Sequence, residues 1–177
     1  KRVTAETCVH FLRYSDADYA TLGGKIKCNP AIKAATDRAA LTQGLADTRV
    51  DILATDHAPH LASEKANPYT SCPSGIPLIQ FALQSALECV FRGDLTLERL
   101  VDAYAHAPAT LFAIEGRGYL REGWFADLTL VDPNKPQVVR AEQVLSKCGW
   151  SPFEGDTFRT NIAATFVNGN LAARDGK

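Results

Sequence analysis

The sequence predicts an α/β fold over residues 1–118 and β-rich structure over residues 119–177. The apolar run Val50-Asp51-Ile52-Leu53-Ala54 has the length of a buried strand, and polar residues follow it directly at Thr55-Asp56-His57. A helical pattern over residues 36–45 precedes this strand, which is the order of elements in a βα-unit. After Gly118 the pattern changes to short alternating segments with turn signals. These observations predict the last part of a parallel α/β barrel joined to a β-rich segment.

The elements before the loop follow in order. Residues 3–9 favour a strand that ends at His10, and residues 25–28 favour a short strand that ends at Asn29-Pro30. A helix is predicted over residues 36–45, and a strand over residues 50–55. Residues 56–75 contain three prolines and Gly75, which predicts a long loop of functional importance.

Helices and then strands are predicted after this loop. Residues 76–91 are apolar around most of a helix, and Thr96 is in place to cap a second helix that breaks at Ala107-Pro108. A third short helix is predicted over residues 109–114. Residues 126–132 alternate like a strand, and residues 162–173 read as a hairpin around an Asn-Gly turn.

The composition excludes several classes of protein. The net charge of -1 and the absence of a basic cluster argue against binding to nucleic acid or to an anionic membrane surface. No apolar stretch is long enough to span a bilayer. The five cysteines include no Cys-x-x-Cys pair, so we expect reduced thiols and a cytoplasmic protein. The chain contains no Met and begins within a predicted strand, so we expect it to be part of a longer polypeptide.

Polar residues end three predicted strands in succession, namely His10, Asn29 and Asp56. If these strands are neighbours in a parallel sheet, their polar ends converge on one edge. Imidazole and carboxylate are good zinc ligands, so this edge is a candidate metal site, and Asp56 is expected to be buried there. A hydrogen-bonded core histidine remains the alternative for His10, and a turn residue remains the alternative for Asn29.

Several segments resemble dihydroorotases, which are zinc enzymes of the amidohydrolase superfamily. Thr-Asp-His-Ala-Pro-His at residues 55–60 resembles the signature that follows the last strand of their (β/α)8, TIM-type barrel. Residues 4–10 resemble their segment with a metal-binding histidine, and Lys27-Cys28-Asn29-Pro30 is similar to a substrate-binding segment. The Pro-x-Gly loop at residues 73–75 and the segment at residues 147–155 also match. The resemblance implies a partial barrel over residues 1–118 and part of a β-sandwich over residues 119–177.

This resemblance also implies roles for individual residues. His10 and Asp56 would bind zinc, and Asp56 would act as general acid and base in the opening of the dihydroorotate ring to N-carbamoyl-L-aspartate. Asn29, His60, Ser74 and Gly75 would bind the substrate. His57 and His106 are given structural roles only.

The resemblance further implies that residues upstream of this chain complete the active site. A complete active site would hold two zinc ions, and the remaining ligands, a His-x-His motif among them, are expected upstream of residue 1 in the missing N-terminal half. We therefore expect this fragment alone to be inactive, and the intact protein to be a homodimer. Two alternatives stay open: an allantoinase or hydantoinase acting on another cyclic amide, and a non-catalytic relative that serves as a scaffold for a partner enzyme.

Overall fold

A computed structural model describes residues 3–175 of the chain, and two parallel strands lie at the centre of its first part. Strand β1 (Glu6–Cys8) pairs with β2 (Ile52–Ala54), and Cys8 is the partner of Ala54. The backbone N–H of Asp51 donates to the Ala5 carbonyl at 2.8 Å, and the Ala5 N–H donates to Asp51 Oδ2 at 2.9 Å. This exchange sets the register at the start of both strands.

The described residues contain seven α-helices, which surround the strand pair or connect it to the rest of the chain. They are α1 (Val9–Arg13), α2 (Tyr19–Leu22), α3 (Ala35–Ala46), α4 (Ala62–Lys65), α5 (Ala82–Phe91), α6 (Leu97–Val101) and α7 (Ala107–Leu111). Short 3-10 helices occupy Asp16–Asp18, Gly23–Ile26, Ile79–Phe81 and Ala141–Gln143, and a π-helix spans Asp102–His106. Among residues 3–175, no helix has the length and apolar character needed to cross a membrane.

The strand predicted over residues 25–28 is wrong. The chain instead forms the 3-10 helix Gly23–Ile26, in which the Lys27 N–H donates back to the Gly24 carbonyl at 3.1 Å. Gly23 adopts φ +49°, which a glycine accepts readily, so the segment turns instead of extending. The described residues therefore contribute two parallel barrel strands, where the sequence pattern predicted three.

The helix predictions are confirmed in part. Helix α3 extends the predicted 36–45 segment by one residue at each end, and Thr96 caps α6 by accepting the Arg99 N–H at 3.1 Å. Helix α5 begins at Ala82, later than predicted, because Ile76 pairs with His57 as an extended residue. The predicted break at Ala107-Pro108 is wrong, because the helix continues through the π-helix into α7. Pro108 lies in the first turn of α7, where the N–H that proline lacks is not needed.

The β-rich end of the chain is confirmed. Strands β3 (Leu128–Asp132), β6 (Asn161–Val167) and β7 (Asn170–Arg174) form an antiparallel sheet in the order β3-β6-β7. The β6–β7 turn has positive φ at Asn168 (52°) and Gly169 (79°), as expected for an Asn-Gly hairpin. Strands β4 (Gln137–Val138) and β5 (Thr157–Phe158) form a separate pair.

One hydrophobic core joins the helices to this second part of the chain. Phe153 and Phe158 belong to the same buried cluster as Phe81 and Leu87. The ring of Phe81 lies 6.5 Å from the Phe153 ring and 6.4 Å from the Phe158 ring. The division at residues 118 and 119 stays a prediction, and the first two and last two residues of the predicted segments lie outside the described range.

Candidate active site

His10 and Asp56 lie at the same edge of the strand pair. Each follows the last residue of its strand by two positions, and those last residues, Cys8 and Ala54, are paired with each other. Parallel strands end at a common edge, so this register brings the imidazole-bearing and carboxylate-bearing residues to the carboxyl side of the sheet. The sequence predicted this edge for both residues.

His10 is a buried histidine without a hydrogen-bond partner. It lies in the first turn of α1 with 0% of its surface exposed, and among the described residues neither ring nitrogen has a hydrogen-bond partner. Burial lowers the pKa of His10 to about 4, so the ring is neutral at physiological pH. Unpaired polar atoms are costly in a protein interior, and a neutral imidazole is the form that binds a metal. The alternative of a hydrogen-bonded core histidine is therefore not what the structure shows.

Asp56 is exposed, which corrects the expectation of a buried carboxylate. Its φ of +48° lies in the left-handed region, and this conformation carries the chain out of β2 at once. Burial raises the pKa of Cys8 to about 12 and that of Cys28 to about 11, and in both cases the Asp56 carboxylate is the next largest cause. The Asp56 charge thus acts both on the end of β1 and on the residue before Asn29.

Asn29 does not end a strand, because the predicted strand is absent. It is exposed and follows Cys28 in the loop after the 3-10 helix. The Cys28 thiol donates to the Pro30 carbonyl at 3.3 Å, across the position of Asn29. Asn29 therefore follows a buried residue whose pKa the Asp56 carboxylate helps to raise.

The three other predicted substrate residues are in direct contact. His60 Nε2 lies 3.0 Å from the Ser74 carbonyl oxygen. Gly75 has φ +139°, and a Cβ at this position would lie 2.5 Å from the Ala58 oxygen and 2.9 Å from His60 Cδ2. Only glycine allows this approach without a shift of the neighbouring backbone. The structure therefore joins the His60 segment to the Ser74-Gly75 loop.

Trp150 ties the segment over residues 147–155 to this loop. Its indole Nε1 donates to the His60 carbonyl at 2.8 Å, and the side chain is largely buried. The segment over residues 147–155, which resembles dihydroorotases, thus holds the His60 backbone through this hydrogen bond.

His57 is bonded to the backbone, in keeping with the structural role expected from the sequence. Its Nδ1 accepts the backbone N–H groups of Leu78 at 3.0 Å and Ile79 at 3.2 Å. These bonds hold the start of the 3-10 helix that leads into α5. His106 stacks on Tyr119 with ring centroids 4.1 Å apart.

Sequence reasoning missed two lysines that organise the loop over residues 56–75. Lys65 is only 3% exposed, and its ammonium donates to three backbone carbonyls. Lys27 donates to the carbonyls of Tyr69 and Cys72, each at 2.6 Å. A lysine in a polar loop normally points to solvent, so no pattern in the sequence marks this burial.

The donor types at the strand edge suit zinc, although they do not complete a site. Neutral imidazole and carboxylate are common zinc ligands, and the buried, unpaired nitrogens of His10 fit such a role. Within residues 3–175, no group of three or more His, Cys, Asp or Glu side chains is placed to hold a metal ion. His10 and Asp56 alone would thus make only part of a metal site.

Comparison with known proteins agrees with the resemblance seen in the sequence. The model of the amidohydrolase family matches residues 1–172. The chain is 41% identical over 152 residues to a dihydroorotase from Halobacterium salinarum, with 86% of this chain and 36% of that relative covered. It is 36% identical over 176 residues to a dihydroorotase from Staphylococcus epidermidis, with 99% of this chain and 41% of that relative covered. The chain thus spans about two fifths of the length of these relatives.

Solved structures confirm the partial barrel. An L-hydantoinase (dihydropyrimidinase) from Arthrobacter aurescens has a TM-score of 0.93 and 28% identity, with 99% of this chain and 40% of that chain covered. A D-hydantoinase with 24% identity and a TM-score of 0.90 has the same fold. The chain, which folds as these proteins do and matches the family model over nearly all its length, belongs to the amidohydrolase family.

Proposed function

We propose that the protein carrying this chain is a zinc-dependent dihydroorotase. It would interconvert L-dihydroorotate and N-carbamoyl-L-aspartate in pyrimidine biosynthesis, in the cytoplasm. The observation that carries this proposal is the placement of buried, unpaired His10 at the same strand edge as Asp56. The dihydroorotases that are 36–41% identical to this chain support the choice of substrate.

His10 and Asp56 are the residues of this chain that would hold zinc. A bound zinc ion would supply a Lewis acid that polarises the ring carbonyl and lowers the pKa of water. Asp56, as the exposed carboxylate, would take the proton of the attacking water and pass it to the ring nitrogen as the amide bond breaks. A second zinc ion and the remaining ligands would come from an upstream part of the same protein.

Asn29, His60 and the Ser74-Gly75 loop would bind the substrate. Dihydroorotate carries a carboxylate, which needs hydrogen-bond donors at a fixed distance from the reacting amide. The Asn29 amide can donate, and the bond between His60 Nε2 and the Ser74 carbonyl fixes one side of this arrangement. A homodimer belongs to the same proposal.

A hydantoinase-type activity is the second candidate. The L-hydantoinase structure superposes on 99% of this chain with a TM-score of 0.93, so the barrel geometry fits that activity as well. The two candidates differ in the substrate carboxylate, which hydantoin lacks.

Ring opening by the full-length protein tests this proposal. We expect zinc-dependent turnover of L-dihydroorotate, little turnover of hydantoin, and loss of activity with a chelator. Turnover of hydantoin but not of dihydroorotate would favour the second candidate. Failure to bind zinc and to open either ring would favour the non-catalytic scaffold.

A further inference from the structure

The buried ammonium of Lys65 lies behind the proposed substrate loop. Lys65 Nζ donates to the carbonyl of Lys27 at 3.2 Å, and to those of Pro73 and Gly75 at 2.8 Å each. Among residues 3–175, no carboxylate forms an ion pair with it, and the charge is surrounded by backbone carbonyls and by the side chains of Cys28, Cys72 and Lys27. A buried charge without a counterion is costly, which makes this arrangement unusual for a lysine that merely fills space.

The three carbonyls belong to two separate segments that carry proposed substrate residues. Lys27 lies two positions before Asn29, and Pro73 and Gly75 lie on either side of Ser74. The Gly75 N–H also donates to the Lys27 carbonyl, at 2.9 Å. One ammonium and one backbone bond therefore join the Asn29 segment to the Ser74-Gly75 loop.

The close packing at this junction depends on a glycine. A Cβ on Gly24 would lie 2.7 Å from the Lys65 carbonyl oxygen and 2.9 Å from Cys72 Sγ. The 3-10 helix can approach the Lys65 segment only because residue 24 has no side chain.

The direction of the Pro73 carbonyl determines where the Ser74 N–H points, and therefore whether the loop can donate a hydrogen bond to a ligand. In a planar trans peptide the C=O and the following N–H point in opposite directions, and Pro73 directs its oxygen at Lys65. The Ser74 N–H consequently points away from the ammonium, and among the described residues it has no acceptor. The junction thus leaves this N–H free to donate to an anionic group.

We propose that Lys65 is a positioning residue for substrate binding, which holds the Asn29 segment and the Ser74-Gly75 loop in one arrangement. It acts through the backbone and does not touch the substrate itself. This inference rests on the proposed dihydroorotase function. His10 and Asp56 are not bonded to Lys65, so its removal affects mainly binding and not the chemical step.

The test uses the full-length, zinc-loaded protein with Lys65→Met, which keeps the length of the side chain and removes the charge. Lys33→Met is the matched control, since Lys33 is exposed and, among residues 3–175, its ammonium donates to the Ala31 carbonyl alone, at 3.1 Å. Because charged hydrogen bonds to carbonyls are lost, we expect KM for L-dihydroorotate to rise about tenfold or more, with kcat within about threefold. Hydrogen exchange at the Gly75 amide should accelerate by a similar factor, and both quantities should stay unchanged in Lys33→Met.

A second variant separates positioning from folding. In Lys65→Ala, added ethylammonium can occupy the space left by the side chain, and we expect it to lower KM towards the wild-type value. Unchanged KM and exchange in Lys65→Met would overturn the inference, as would equal losses in kcat and binding that ethylammonium does not restore. If the wild-type protein does not act on dihydroorotate, the proposed function fails, and exchange at Gly75 alone still decides whether Lys65 holds the loop.

Discussion

Gly75→Ala is the substitution for which the structure gives the clearest magnitude. Gly75 has φ +139°, a backbone conformation that other residues rarely adopt. Holding an alanine there costs about 1–3 kcal/mol. The new Cβ would also lie 2.5 Å from the Ala58 oxygen and 2.9 Å from the Ala58 Cβ, so the backbone must shift. Such overpacking costs about 1–3 kcal/mol, which gives about 2–6 kcal/mol in total.

Gly93→Ala is the matched control. Gly93 also has a positive φ, of 80°, but a Cβ there would have no atom within 4 Å. We expect the control to lose about 1 kcal/mol from backbone strain alone.

The two variants are compared in the full-length protein by urea denaturation and by KM for L-dihydroorotate. We expect Gly75→Ala to lower the unfolding midpoint clearly more than the control. Its KM should also rise at least about tenfold, because the displaced contact carries His60 and Ser74. Equal midpoints for the two variants, with an unchanged KM for Gly75→Ala, would refute the close-packing explanation.

Three further predictions concern residues that support the site. Arg99→Met should lower the free energy of unfolding by about 2–4 kcal/mol, measured by denaturation, because its guanidinium bonds three backbone carbonyls at the start of β2 and the end of α3. Trp150→Phe should raise KM severalfold with little change in kcat, since the 2.8 Å bond to the His60 carbonyl is lost and the smaller ring packs less fully at this buried position. Iodoacetamide at pH 8 should label Cys148 first, as judged by mass spectrometry, because Cys28 is buried and its pKa of about 11 keeps it a thiol until the pH approaches that value. Unchanged stability of Arg99→Met would contradict the first prediction, and an unchanged KM of Trp150→Phe would contradict the second. Faster labelling of Cys28 than of Cys148 would contradict the third.

The parts of the fold that depend on local patterns could be predicted from the sequence. Strand β2, helix α3, the Thr96 cap and the Asn168-Gly169 hairpin each have a local signal in composition or spacing. The strand at residues 25–28 was wrong because its apolar and β-branched content is also compatible with a 3-10 turn after two glycines. Helix continuity through Pro108 was missed because the π-helix before it removes the need for a backbone N–H at that position, which proline lacks.

The candidate site, like the fold, could be predicted from the sequence only in part. The strand edge that carries His10 and Asp56 follows from where polar residues end apolar runs. The exposure of Asp56 could not be predicted, because it depends on a left-handed turn directly after β2. Lys65 was missed for a similar reason: its burial is created by contacts with residues 27, 73 and 75, all of which lie eight or more positions away.

Asp56→Asn in the full-length protein tests whether Asp56 is the carboxylate that transfers the proton. We expect a loss of turnover on L-dihydroorotate of at least about 10³-fold, because an amide cannot accept the proton. Circular dichroism and the unfolding midpoint should stay close to wild type, since Asp56 is exposed and outside the core. Asp37→Asn, at an exposed position in α3, is the control and should keep full activity. Near wild-type turnover by Asp56→Asn would contradict the assignment of Asp56 as the catalytic carboxylate.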